Sequence, residues 1–179
     1  MRIFRLLAVG QFSFFICLAV CTALIPHFAK TGGGVSNYGL YAKTIPFYTL
    51  GFALSAITAI WAGTLVKESR LLGRSLIILG ILMLAVLAST YPYKVNTTFD
   101  FIHQGVSQVL FVFEVWFGVW LAFYYRDQAA AKLLFIAQCV SALIALLTIL
   151  GLFHLLFISQ ILTGLSFGAL LLYATRRTV

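Results

Sequence analysis

Three histidines lie at the ends of apolar stretches, and one of them follows closely after an aspartate. His27 closes the first stretch, His103 opens the fourth, and His154 falls inside the last apolar run, while Asp100 stands one helical turn before His103. Imidazole nitrogens and carboxylate oxygens ligate zinc and other transition metals. If the fold brings these four residues together, they would form an open metal site for zinc, or two of the histidines would hold heme.

The opposing interpretation needs no metal. Histidine has an apolar body and a polar tip, so it also settles at membrane interfaces without a ligand. The sequence contains no HExxH or HxxxH pattern that would place two histidines on one helix face. The sequence by itself therefore predicts no cofactor, and the metal site is kept as an alternative.

Glu114 is a carboxylate inside an apolar stretch. It follows His103 by about 16 Å of helix, at 1.5 Å per residue, which puts it near the middle of a bilayer. Such a group is costly in hydrocarbon and is a functional candidate by default. Ser107 shares its helix face, and Gln104 and Gln108 lie beside that face. The partners predicted on other stretches are Gln11, Gln138, Gln160 and Thr163.

Two kinds of role are open for this polar stripe. A hydrogen-bond clamp between helices would contribute about 0.6–2 kcal/mol. A proton relay, a ligand contact or the lining of a water-filled cleft would make Glu114 functional.

The composition is too apolar for a protein whose whole surface faces water. The 179 residues are 63% hydrophobic and 9% charged, with a mean hydropathy of +1.07, whereas soluble domains have about 45–50% and about 25%. A span needs roughly 20 apolar residues. The sequence predicts an all-α integral membrane protein, a single six-transmembrane-helix bundle. Its spans are expected at about 6–25, 44–66, 75–91, 103–125, 133–152 and 156–175.

Lysines and arginines predict the orientation. With six spans both termini share one side, and most of the cations fall on that side. Those cations are Arg2, Arg5, Lys67, Arg70, Arg74, Arg126, Lys132, Arg176 and Arg177, against Lys30, Lys43 and Lys94 on the other side. The positive-inside rule makes both termini cytoplasmic. The net charge of +8 is scattered between apolar stretches, so no nucleic acid partner is expected, and the cations should contact anionic lipid heads.

Four short signatures lie at the ends of the spans: Pro26-His27, Ser36-Asn37-Tyr38-Gly39, Tyr91-Pro92, and Asp100 with His103. With these signatures the layout resembles an uncharacterised prokaryotic six-span family allied to the autophagy-modulator (Frag/DRAM/Sfk-like) membrane proteins. The resemblance implies a compact six-helix bundle in a prokaryotic plasma membrane that senses or organises lipid. It implies no catalytic residues.

Three functions follow from these observations. The preferred one is a non-enzymatic membrane protein that binds lipid or a partner membrane protein. The partner can be a second copy of the same chain. The second is a metal-dependent enzyme acting on lipid through His27, His103, His154 and Asp100. The third is a small proton-coupled transporter that uses Glu114.

Overall fold

The computed structural model describes residues 2–26, 33–67, 69–91, 97–125 and 128–178. Within these ranges the chain is all-helical and has no strand. Six long α-helices and one short 3₁₀ helix (Val35–Leu40) make up the fold. The long helices are α1 (Arg2–Leu24), α2 (Ile45–Leu65), α3 (Arg70–Thr90), α4 (Thr98–Tyr124), α5 (Ala129–Ile149) and α6 (Leu156–Thr178).

Four of the long helices, α1, α3, α4 and α5, begin earlier than the apolar stretches that predicted them. Helix α3 begins at Arg70 because the Ser69 side chain caps it, accepting a hydrogen bond from the Leu72 amide at 3.2 Å. Helix α4 begins at Thr98, so Asp100 falls in its first turn, where the helix dipole favours a negative charge. Polar residues extend these helices beyond the length that hydropathy alone indicates.

All six long helices are long and apolar enough to cross a membrane, which confirms the six apolar helices predicted from the sequence. Their outward faces carry large apolar side chains that a water-soluble surface would not support in such number. Phe12 in α1, Val112 in α4 and Leu133 in α5 each expose more than six-tenths of their surface. These faces are compatible with an integral membrane protein.

The first compact unit comprises Met1–Leu24 and Ser36–Phe113. In it α1 packs against α2, and α2 packs against α3. The start of α1, the end of α2 and the start of α3 lie at one end, here called the basic end, which carries Arg2, Arg5, Lys67, Arg70 and Arg74. The opposite end, here called the tyrosine end, carries Tyr38, Tyr41, Tyr48 and Tyr91.

The second compact unit comprises Ile25–Val35 and Glu114–Thr178. Helices α5 and α6 form a hairpin in it, and Gly151 ends α5 with a φ of 80°, a left-handed conformation that glycine adopts without strain. The later part of α4 packs on α6 through the Phe117 and Phe167 rings, whose centroids are 5.8 Å apart. His154 lies in the exposed connection between α5 and α6.

Candidate functional site

His103 and Asp100 are both buried near the start of α4, at the tyrosine end of the first unit. The Nδ1 atom of His103 lies 2.9 Å from the hydroxyl oxygen of Ser89, close to the end of α3. The Gln104 side chain donates a hydrogen bond from Nε2 to Oδ1 of Asp100 at 2.7 Å. A serine, an imidazole and a carboxylate held by an amide are thus assembled by two consecutive helices.

Nothing in the sequence distinguishes Ser89 from the other serines. Fourteen residues separate it from His103, and the connection between α3 and α4 decides whether they meet. A serine at the end of an apolar helix carries no signal of its own in a single sequence. The indication is indirect. Asp100 and His103 are one turn apart on α4, and this spacing predicts a third polar group that faces them from the preceding helix.

The four residues of the metal hypothesis do not all lie within the described residues. His27 falls outside them, His103 and Asp100 lie in the first unit, and His154 lies in the second. In the ranges that the structure describes, no three histidine, cysteine, aspartate or glutamate side chains are grouped closely enough to hold a metal ion. The zinc or heme site with His27 remains a prediction from the sequence.

Glu114 and Gln138 meet in the second unit, but through the backbone of Glu114. The fully buried Gln138 side chain donates from Nε2 to the main-chain oxygen of Glu114 at 3.0 Å. Its Oε1 atom is buried and has no hydrogen-bond partner among the described residues. Gly118 makes this approach feasible, because a Cβ atom there would overlap the Gln138 carboxamide. Glu114 itself is half-buried.

The other polar residues predicted around Glu114 have separate surroundings. The Ser107 hydroxyl is buried, and no described group bonds it. Gln104 and Gln108 are exposed on α4. Gln160 accepts a hydrogen bond from the Val35 amide at 2.8 Å. Thr163 donates to the Ser141 hydroxyl at 3.1 Å, which links α6 to α5, and Gln11 is half-buried on α1.

Hydroxyl groups join the helices at the tyrosine end. Tyr48 and Thr90 are hydrogen-bonded at 3.3 Å between α2 and α3, and Thr49, the next residue of α2, bonds Tyr91. Tyr38, which is fully buried, donates to the Thr22 hydroxyl at 3.1 Å. Burial raises the pKa of the Tyr38 phenol, and the bond to Thr22 offsets part of that rise. These bonds form a polar layer at this end of the unit.

The basic end has the opposite character. All five of its cationic side chains are exposed, and no described carboxylate pairs with any of them. Glu68, the next residue after Lys67 in the sequence, lies outside the described residues. The Arg2 guanidinium lies over the Trp61 ring, 5.8 Å from the centroid. These cations are therefore presented to the surroundings, and none is paired with a carboxylate of the described ranges.

Known proteins give no further guide to these residues. No protein-family model matches this chain, no curated protein matches it, and no solved structure matches it.

Proposed function

We propose that this chain is an integral membrane protein that binds anionic lipid head groups at the basic end of its first unit. The observation that supports this is the gathering of Arg2, Arg5, Lys67, Arg70 and Arg74 at one end of three packed helices, exposed and without carboxylate partners in the described residues. On this proposal the basic end and both termini face the cytoplasm, as the positive-inside rule predicts. The membrane is the prokaryotic plasma membrane.

The chemistry of the basic end suits a phosphate. Arginine presents a planar fork of donors that binds phosphate oxygens in pairs. Arg70 and Arg74 lie in the first turns of α3, where the positive end of the helix dipole adds to their attraction for an anion. Trp61, nearly half exposed beside Arg2, has the indole ring that membrane interfaces favour.

The test is native mass spectrometry of the full chain, titrated with phosphatidylglycerol or with phosphatidylcholine. We expect the anionic lipid to bind more tightly, and more weakly at high salt. Each cation near an anionic surface contributes about 1 kcal/mol. The triple variant Lys67→Gln, Arg70→Gln, Arg74→Gln should therefore lose roughly 100-fold in affinity.

The matched control is Lys43→Gln, an exposed lysine next to the tyrosine end, which should leave the affinity unchanged. Equal binding of both lipids, or an equal loss in the control, would contradict the proposal. The same spectra report the number of chains in each complex. They therefore test the prediction of a homo-oligomer or of a partner membrane protein, which would cover the apolar face of α5 formed by Leu133, Ile136, Val140 and Leu143.

A proton-coupled transporter is the second candidate, and Glu114 supports it. The carboxylate lies well inside α4 and is half-buried, and no described side chain pairs with it. Reconstituted protein would then show a pH-dependent flux that Glu114→Gln abolishes and that the basic-end triple variant leaves intact. The resemblance to the Frag/DRAM/Sfk-like family agrees with the lipid proposal and remains a prediction from short sequence signatures.

A further inference from the structure

Ser89 and His103 form a hydrogen-bonded pair that has the parts of a nucleophile and its base. The distance from the Ser89 hydroxyl oxygen to Nδ1 of His103 is 2.9 Å. The same hydroxyl donates a hydrogen bond to the main-chain oxygen of Val86 at 2.9 Å, and it can donate to Nδ1 instead when His103 carries its proton on Nε2. A serine hydroxyl is a weak nucleophile until an adjacent base accepts its proton, and neutral imidazole is the base that does so near pH 7.

A carboxylate lies one helical turn from the imidazole. Asp100 precedes His103 by three residues on α4, and both side chains are buried. Gln104 fixes that carboxylate through the 2.7 Å bond to Oδ1. A negative charge held in this position stabilises the imidazolium that forms when His103 takes the serine proton.

The position of the pair indicates the class of substrate. Ser89 is next to the last residue of α3, a helix of 21 residues, which is about the length that crosses the hydrocarbon core. In a membrane whose hydrocarbon core α3 crosses, the pair would fall at the boundary where the ester groups of glycerolipids lie. Phe99, Phe101 and Ile102 are exposed on the first turns of α4 and offer an apolar surface for acyl chains.

We propose that Ser89 and His103 catalyse acyl transfer from a lipid ester at the tyrosine end of the first unit. The Ser89 oxygen attacks the ester carbonyl carbon while its proton moves to His103. The tetrahedral intermediate then breaks the bond to the alcohol oxygen, and the imidazolium gives that oxygen its proton. Water attacks the resulting acyl-serine, with His103 again accepting and returning a proton, and releases the fatty acid.

This activity is distinct from lipid binding at the basic end, which lies at the other end of the unit. It uses His103 and Asp100, which the metal hypothesis treats as ligands. Here His103 is the base, and Asp100 supplies the negative charge beside it. A chelator separates the two interpretations: the acyl-transfer pair works unchanged in its presence, and loss of the reaction with the chelator would overturn the proposal.

The experiment is covalent labelling of the full chain in nanodiscs with a fluorophosphonate probe, read by intact mass and peptide sequencing. The serine oxygen displaces fluoride from phosphorus, so a reactive Ser89 gains one adduct per chain. We expect Ser89→Ala to abolish the adduct and His103→Gln to slow labelling by about 100-fold, the scale of general-base catalysis.

Ser13→Ala is the matched control, since Ser13 is a half-buried serine on α1, and it should label at the full rate. Each variant is accepted only if its helical circular dichroism and its gel-filtration profile match those of the parent chain. No adduct on the folded parent, an adduct on another serine, or equal labelling of His103→Gln would each overturn the proposal.

Asp100 is a positioning residue in this scheme, and its test is rescue. Asp100→Asn removes the charge and should slow labelling at least tenfold. Asp100→Glu keeps a carboxylate on the same turn and should restore most of the rate. Equal rates in the two variants would show that the charge of Asp100 plays no part.

Discussion

Gln138 is bonded to the backbone of Glu114 and not to its carboxylate. The Nε2 atom of Gln138 donates to the main-chain oxygen of Glu114 at 3.0 Å. In an α-helix the same oxygen faces the backbone N–H four residues later, which here belongs to Gly118. The contact therefore ties α5 to α4 without using the acidic group. The carboxylate and the clamp between the helices can be changed independently, which makes them separable by mutation.

Gly118→Ala should destabilise the second unit. The added Cβ atom would overlap the Gln138 carboxamide, which is fully buried, so that side chain would have to shift away from its bond to Glu114. Overpacking of this kind costs about 1–3 kcal/mol. The midpoint of thermal unfolding in detergent measures the effect.

Gly105→Ala is the control on the same helix, because nothing lies within 4 Å of a Cβ atom at Gly105. It should be neutral or should raise stability by up to about 1 kcal/mol. Adding Gln138→Ala to Gly118→Ala should recover part of the lost stability, since the two side chains compete for one space. If the two changes in unfolding free energy simply add, the two side chains do not compete for that space.

Gln138→Leu should leave the free energy of unfolding unchanged or raise it slightly. The change removes one hydrogen bond, worth about 0.6 kcal/mol on average between membrane helices. It also removes the buried Oε1 acceptor that no described group satisfies, whose desolvation costs about 1–3 kcal/mol. Thermal unfolding of the purified variant measures the balance, and a loss above about 2 kcal/mol would mean that Oε1 has a bound partner in the membrane.

Glu114→Gln should keep the fold. The main-chain bond to Gln138 survives the change, and no described side chain pairs with the carboxylate. The unfolding midpoint should stay close to that of the parent chain, within about 0.5 kcal/mol of stability. A large drop in the midpoint would show that the carboxylate itself holds helices together.

The helices could be predicted from the sequence because hydropathy is a local property. Apolar runs near 20 residues predicted all six long helices, and the charge-free run after Lys132 had to fold back, as the hairpin of α5 and α6 does. Helix ends were less predictable, since the Ser69 cap extends α3 into polar sequence and α4 begins in polar sequence at Thr98. A hydropathy pattern stops where polarity begins, but a capped helix continues.

The contacts of the site depend on which helices become neighbours, and one sequence does not reveal that. Gln138 was expected near Glu114, and the two do meet, but through the main chain. Gln160 was expected there as well, and it bonds the Val35 amide. Ser89 had no distinguishing pattern at all, and only the packing of α3 against the start of α4 brings it to His103.

Tyr38→Phe should lower the stability of the first unit by about 0.5–1.5 kcal/mol, the usual net value of one hydrogen bond. The phenol is fully buried, and its bond to Thr22 at 3.1 Å joins the 3₁₀ helix to α1. Tyr124→Phe removes an exposed hydroxyl and keeps the ring contacts of Tyr124, so it should have no effect. Thermal unfolding at pH 7 compares the two, and equal losses would argue against a role for the Tyr38 bond.

The same tyrosine should make the first unit sensitive to alkali. Burial raises the pKa of Tyr38 in the folded chain above its ordinary value, despite the opposing bond to Thr22. The folded state therefore favours the neutral phenol, and this contribution to stability is complete below the unfolded pKa of about 10. As the pH rises from there through the folded pKa, the contribution is lost, because the unfolded chain ionises first. Unfolding midpoints measured from pH 8 to pH 11 should fall more steeply for the parent chain than for Tyr38→Phe, and parallel curves would show that Tyr38 ionises equally in both states.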